Sequence, residues 1–174
     1  MTRTLTAILL LALCACERLP DSYPPPEQRQ PAEDSRLAVQ DMLLEMDSPS
    51  LSEHIVKDVY GKGDASWRWT GQEPTFKVLA YSAVNIKLSA DFAIWAPGFK
   101  QTGPLELAFL VNGHVLDTVR YTSPGQKHFE KAVPQDWLRT DIESTVAIRV
   151  GKLYVSPSDG AKFGIILTRI GFAP

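Results

Sequence analysis

The residue types able to do chemistry are thinly spread in this chain. His54, His114 and His128 stand alone, without the short-range partners that zinc sites use, and both cysteines, Cys14 and Cys16, fall at the very start of the sequence. There is no Gly-x-Ser-x-Gly elbow, no glycine-rich phosphate loop and no nucleophile flanked by a base. Carboxylates are plentiful, among them Asp64, Asp91, Asp117, Asp136, Asp141 and Glu143, but Asp and Glu in turns are ordinarily solvated or capping. A glycosidase-like pair among them, or a structural calcium on Asp141 or Asp159, is the weaker reading. The sequence therefore assigns no catalytic residue, no metal ligand and no cofactor, and the expectation is a protein that is not an enzyme.

One stretch asks for more: Gly63–Thr70, GDASWRWT. In an extended backbone, alternate side chains share a face, so Trp67 and Trp69 would lie on one side and Arg68 on the other. Two indoles one step apart form a platform for a sugar ring, and a guanidinium can reach a carboxylate or phosphate. Trp67, Arg68 and Trp69 are thus the candidate ligand-binding residues. The competing reading puts Trp69 in the core, Trp67 over a sheet edge and Arg68 against an acidic neighbour, the commoner fate of tryptophan in small sandwiches.

The elements that must position these residues read as strands. Leu105–Tyr121, LELAFLVNGHVLDTVRY, is a hairpin whose Asn112-Gly113 pair suits the two positive-φ positions of a type I′ turn. A straight ladder from that turn pairs Val111 with His114, Phe109 with Leu116, Leu107 with Thr118 and Leu105 with Arg120. Val84 to Ile94 alternates cleanly, with Val84, Ile86, Leu88, Ala90, Phe92 and Ile94 on one face. His54–Tyr60 reads as a short strand ending at Gly61, and Phe76–Ala80 as another after a turn at Gly71–Pro74. Gln126–Val133 and Thr145–Val150 follow, with Pro134–Leu138 as a tight turn carrying Trp137 to the core. Lys162–Phe172, KFGIILTRIGF, is apolar on both faces and reads as one central strand. Arg36–Met46 fits a helix as well as a strand, and a strand is the reading taken. The fold class expected is all-β: a single antiparallel β-sandwich, jelly-roll-like or immunoglobulin-like, over residues 36–174.

The segment ahead of it is read as an address. Thr4–Ala15 is an apolar run behind Arg3, too short for the ~20 residues a bilayer requires, and reads as a signal peptide over residues 1–15. Its end, Leu13-Cys14-Ala15-Cys16, has the pattern of a bacterial lipoprotein signal, which makes Cys16 the lipidation site. Residues 16–35 hold Pro20, Pro24, Pro25, Pro26 and Pro31 among polar residues, a tether that holds the domain away from the membrane. Removing the signal takes away Arg3 and leaves 17 basic against 20 acidic residues, a balance that does not recruit nucleic acid.

HIVKDVY, SWRWTG, VNGHVLDTVRYTSPG, HFEKAVP, DWLRTD and DGAKFGIILTRIGF together resemble a family of uncharacterised β-sandwich domains from environmental bacteria. The resemblance covers His54 to Phe172; that family occurs as short secreted or lipid-anchored proteins and as domains appended to surface or glycan-related proteins. It implies the fold and no activity. The expected function is a lipid-anchored binding or accessory module at the bacterial cell envelope, periplasmic or surface-exposed, with polysaccharide as ligand. The alternative is a structural or assembly component that contacts another envelope protein through a sheet face.

Overall fold

The computed structural model describes residues 42–61 and 65–174. The signal peptide, Cys16, the tether, residues 36–41 and Asp64 lie outside the described residues. No helix among those described is long and apolar enough to cross a membrane.

The hairpin forms as β5 (Leu105–Val111) and β6 (His114–Tyr121), joined by Asn112 at φ 49° and Gly113 at φ 80°. Val111 faces His114 as the turn dictates, and Leu110 faces Val115. The ladder then slips: Phe109 faces Asp117, Leu107 faces Val119 and Leu105 faces Tyr121, correcting the straight register. The cause is one extra residue in β6, a bulge that reverses which side chains point inward. Without it, Thr118 and Arg120 would face the core; with it, Val119 and Tyr121 pack there beside Leu116.

The remaining elements, in chain order, are β1 (Leu43–Glu45), a helical turn α1 (Leu51–His54), β2 (Ile55–Tyr60), β3 (Arg68–Val78), β4 (Lys87–Ile94) and α2 (Ala96–Thr102) before the hairpin. After it come β7 (Gly125–Ala132), a 3-10 turn (Gln135–Trp137), β8 (Ser144–Val150), β9 (Tyr154–Val155), β10 (Lys162–Phe163) and β11 (Ile166–Ala173). Every pairing is antiparallel. The strands run β6-β5-β8-β3-β11-β4-β7, with β1 added on β11 and β2 on β3. The long β3 belongs to both layers of this β-sandwich: Thr75–Val78 pair with β8, while Arg68 and Trp69 pair with β11. Between the layers lie Phe76, Phe92, Phe109, Phe172, Leu88, Leu107, Ile148 and Ile170, all fully buried.

Three local expectations are corrected. Gly71–Pro74 is not a turn but part of β3. There the ladder passes from Thr70 opposite Val59 to Thr75 opposite Lys57, so that stretch bulges against Asp58 alone, whose Oδ2 accepts from Glu73 N at 2.8 Å. Val84 is 57% exposed, since Asn85 at φ 58° turns the chain and the strand starts at Lys87. KFGIILTRIGF is two strands, not one. At the break, Gly164 passes so close to β3 that a Cβ there would sit 2.5 Å from the Gly71 carbonyl oxygen. The fully buried Thr70 rivets the same point: its hydroxyl donates to Ile165 O at 3.0 Å and accepts from Ile165 N at 2.9 Å. Pro134–Leu138 is the tight turn expected, with Leu138 buried and the half-buried Trp137 packed on the core beside His114. The described part of Arg36–Met46 holds a short strand, β1, paired with β11.

Candidate functional site

Trp69 is the hub of an aromatic cluster. Its ring centroid lies 5.1 Å from Phe163, 5.7 Å from Trp95 and 6.5 Å from Trp67. Trp95 continues the cluster to Tyr154 at 5.0 Å, and Phe163 continues it to Tyr60 at 6.4 Å. Most of these contacts are near-perpendicular, the edge-to-face arrangement that ring quadrupoles favour. Trp69, Tyr154 and Phe163 are half-buried, while Trp67 (45%), Tyr60 (43%) and Trp95 (37%) keep large areas in solvent.

Four strands supply Tyr60, Trp69, Tyr154 and Phe163, while Trp67 and Trp95 stand just outside β3 and β4. Tyr60 faces Trp69 across the β2–β3 ladder, and Tyr154 faces Phe163 across the small β9–β10 hairpin. Trp95 sits where β4 passes into α2, whose start is set by Pro97. Helix and hairpin are clamped together by Gln101. Its amide donates to Val155 O at 3.1 Å and accepts from Val155 N at 2.8 Å, standing in for a neighbouring strand. Gly98 lets the helix close on Trp95 and Tyr154, both within 3.5 Å of where its Cβ would stand. The cavity enclosed by Trp69, Trp95, Phe99 and Tyr154 has room for about one water, roughly 10 Å³, so a ligand of any size must lie over the rings rather than among them.

The structure brings Trp67 and Trp69 together but sets their rings at 90°, so the pair does not form the flat platform that alternation suggested. Arg68, the residue expected to reach a carboxylate or phosphate, is only 8% exposed and donates from Nη1 to Ala65 O at 3.4 Å. Sequence reasoning missed Tyr60, Trp95, Tyr154 and Phe163. For Tyr60, Trp95 and Phe163 the available signal was an aromatic residue at the end of a strand-like run, followed by Gly or Ala-Pro; Tyr154, followed by Val155-Ser156, carries no such signal.

The charged residues are organised elsewhere. Across the outer face of β7, β4, β11 and β1 runs a row in which His128 Nδ1 donates to Asp91 Oδ1 at 2.6 Å and Arg169 Nε donates to Asp91 Oδ2 at 2.8 Å, with Glu45 3.7 Å from Arg169. Burial pushes the Asp91 carboxyl up, but the hydrogen bonds from His128 and Arg169 outweigh it and hold it below its ordinary value. Hydrogen bonds from Arg149 and Lys57 lower Glu73 in the same way. Asp117 pairs with Lys131 and Asp141 with Arg139, while Asp159 accepts from Ala161 N inside the β9–β10 loop. His54 donates to Lys77 O at 2.9 Å. No three metal-ligating side chains gather among the described residues.

No family model matches this chain, and no curated protein matches it. Among solved structures it is similar to a family 35 carbohydrate binding module from an environmental isolate, at 12% identity and TM-score 0.42, over 76% of this chain and 96% of that one. It is also similar to part of a family GH115 4-O-methyl-α-glucuronidase with specificity for decorated arabinogalactans, at 7% identity and TM-score 0.41, over 75% of this chain and 17% of the other. A third similarity is to an exo-β-1,3-galactanase from Phanerochaete chrysosporium, at 9% identity and TM-score 0.41, over 76% of this chain and 29% of that chain.

Proposed function

We propose that this chain is a non-enzymatic polysaccharide-binding module, held at the bacterial envelope by a lipid on Cys16. The observation that carries the reading is the exposure of Trp67, Tyr60 and Trp95 around the half-buried Trp69. Aromatic rings clustered this closely ordinarily bury one another; here three present area to solvent at one site, held there by α2 and the β9–β10 hairpin. The apolar faces of sugar rings are suited to such surfaces, which need little rearrangement because the rings already brace one another. The assembly reading draws less support. The outer face of β4, β7 and β11, a natural sheet-face contact, is taken up by the ion pairs of Asp91, His128, Arg169, Lys87 and Glu130.

The test is a glycan array and polysaccharide pull-down with wild type, Trp67→Ala and Trp95→Ala. Binding by wild type that both variants lose, at unchanged melting temperature, supports the reading; equal binding by all three removes it. The anchor is tested separately: Cys16→Ser should free the protein from the membrane fraction, and release by Cys14→Ser instead would place the lipid on the other cysteine.

A further inference from the structure

Beside the aromatic cluster opens a groove of about 270 Å³ lined by Pro104, Glu106, Arg120, Gly151 and Lys152. Lys152 is shared, lining both this groove and the small cavity under Trp69, Trp95 and Tyr154. Lys57, Lys87, Lys131, Arg139, Arg149 and Arg169 each lie within 4 Å of a carboxylate, whereas Lys77, Lys100, Lys127 and Lys162, scattered away from this groove, meet none among the described residues. Arg120 and Lys152 have no such partner among the described residues. Glu106 faces Arg120 in the β5–β6 register yet forms no ion pair with it. Lys152 Nζ donates to the Thr102 carbonyl at 3.2 Å, a contact that orients the ammonium toward the α2 end of the groove without neutralising it. In a chain of formal net charge −2, this groove sets two uncompensated cations against one carboxylate, directly alongside exposed rings.

Resting on the polysaccharide reading above, we propose that the ligand is an anionic polysaccharide: sugar faces lie on the aromatic cluster while Arg120 and Lys152 take an acidic substituent. Arg120 offers the planar fork that matches a carboxylate or sulfate, and Lys152 a point charge at the junction with the rings. Glu106 remains as an acceptor for sugar hydroxyls and disfavours a second acid in the same place.

The experiment measures retardation of the purified full chain in affinity gels containing polygalacturonate or dextran sulfate, each against its uncharged counterpart, methyl-esterified polygalacturonate or dextran. Wild type should prefer at least one acidic polymer over its neutral form by about five- to tenfold at low salt, as two exposed charge contacts supply. That preference should vanish in about 0.5 M salt and in the Arg120→Gln/Lys152→Gln double variant, with the melting temperature unchanged. Which acidic polymer is favoured says whether the fork meets carboxylate or sulfate. Equal affinity for charged and neutral forms, or a double variant that keeps the preference, overturns the anionic assignment and leaves polysaccharide binding standing. Binding to none of the four also overturns it, and a blank glycan array alongside would bring down the broader reading too.

Discussion

His128 Nδ1 lies 2.6 Å from Asp91 Oδ1, tying β7 to β4 on the face turned away from the core. On the other side Arg169 of β11 holds the second oxygen, so one carboxylate joins three strands. Because its folded value lies below the ordinary 3.8, the unfolded chain takes up this proton first as pH falls. The stabilisation is therefore complete above about pH 4 and is lost as pH drops through the lower, folded value. Thermal melts from pH 7 to pH 2 should show a steep acid loss in wild type. Asp91→Asn should have a lower midpoint at pH 7 and a shallower acid slope. Some slope should remain, since Glu73 is lowered in the same direction. An identical slope in wild type and variant would show that Asp91 carries none of it.

Trp69→Ala should destabilise by about 3 kcal/mol, because it removes the ring against which Trp67, Trp95 and Phe163 pack. Among the described residues Trp67 meets one ring, Trp69, and it is 45% exposed, so Trp67→Ala should cost about 1 kcal/mol or less. Urea denaturation of the two variants separates hub from rim; equal losses would make Trp67 a packing residue.

Gly171→Ala should be among the most damaging single-methyl changes in the domain. At φ 154° its added Cβ would stand 2.1 Å from Met42 O and 2.8 Å from Leu43 Cα, backbone atoms at the start of the paired β1 that have nowhere to go. A loss of about 3 kcal/mol is expected, at the upper end of overpacking. A midpoint within error of wild type would mean that β1 does not lie on β11.

How far the sequence revealed these features depends on whether a neighbour decides them. The Asn112-Gly113 turn was legible because two adjacent residues specify it, and β8 because Val146, Ile148 and Val150 alternate. The bulge in β6 was not, since a straight ladder also has apolar residues on its inner face; only packing against the core selects Val119 and Tyr121. Gly71–Pro74 reads as a turn because glycine and proline punctuate turns and bulges alike, and it is Asp58 on the partner strand that makes this a bulge. Trp67 and Trp69 were visible as a pair. Their partners Tyr60, Trp95, Tyr154 and Phe163 come from separate elements and meet only after the chain has folded.

Asn112 does more than turn the chain. Its Nδ2 donates to Trp137 O at 2.7 Å and to Ser144 Oγ at 3.2 Å, and its Oδ1 accepts from Thr145 N at 2.8 Å. Asn112→Gly keeps the positive φ and deletes only these bonds, so it should cost about 1 to 3 kcal/mol. Gly113→Val, which attacks the turn itself, should cost about as much through backbone strain. The two are distinguished by proteolysis at the 3-10 turn, which Asn112→Gly should accelerate more. Equal resistance in the two variants would show that the side-chain clamp is not what secures that loop.

β11, the last strand of the domain, is the middle of its layer: β4 flanks it on one side, β1 and the start of β3 on the other. Until Ile166–Ala173 has been synthesised, the β4–β7 pair has no strand to join it to the β6-β5-β8-β3 run. Pairings between residues this distant in sequence are slow to form, so folding waits for the final strand and then for a long search. The layer of β4, β7 and β11 therefore closes only after every other strand has been made, and its centre is the last piece to be fitted.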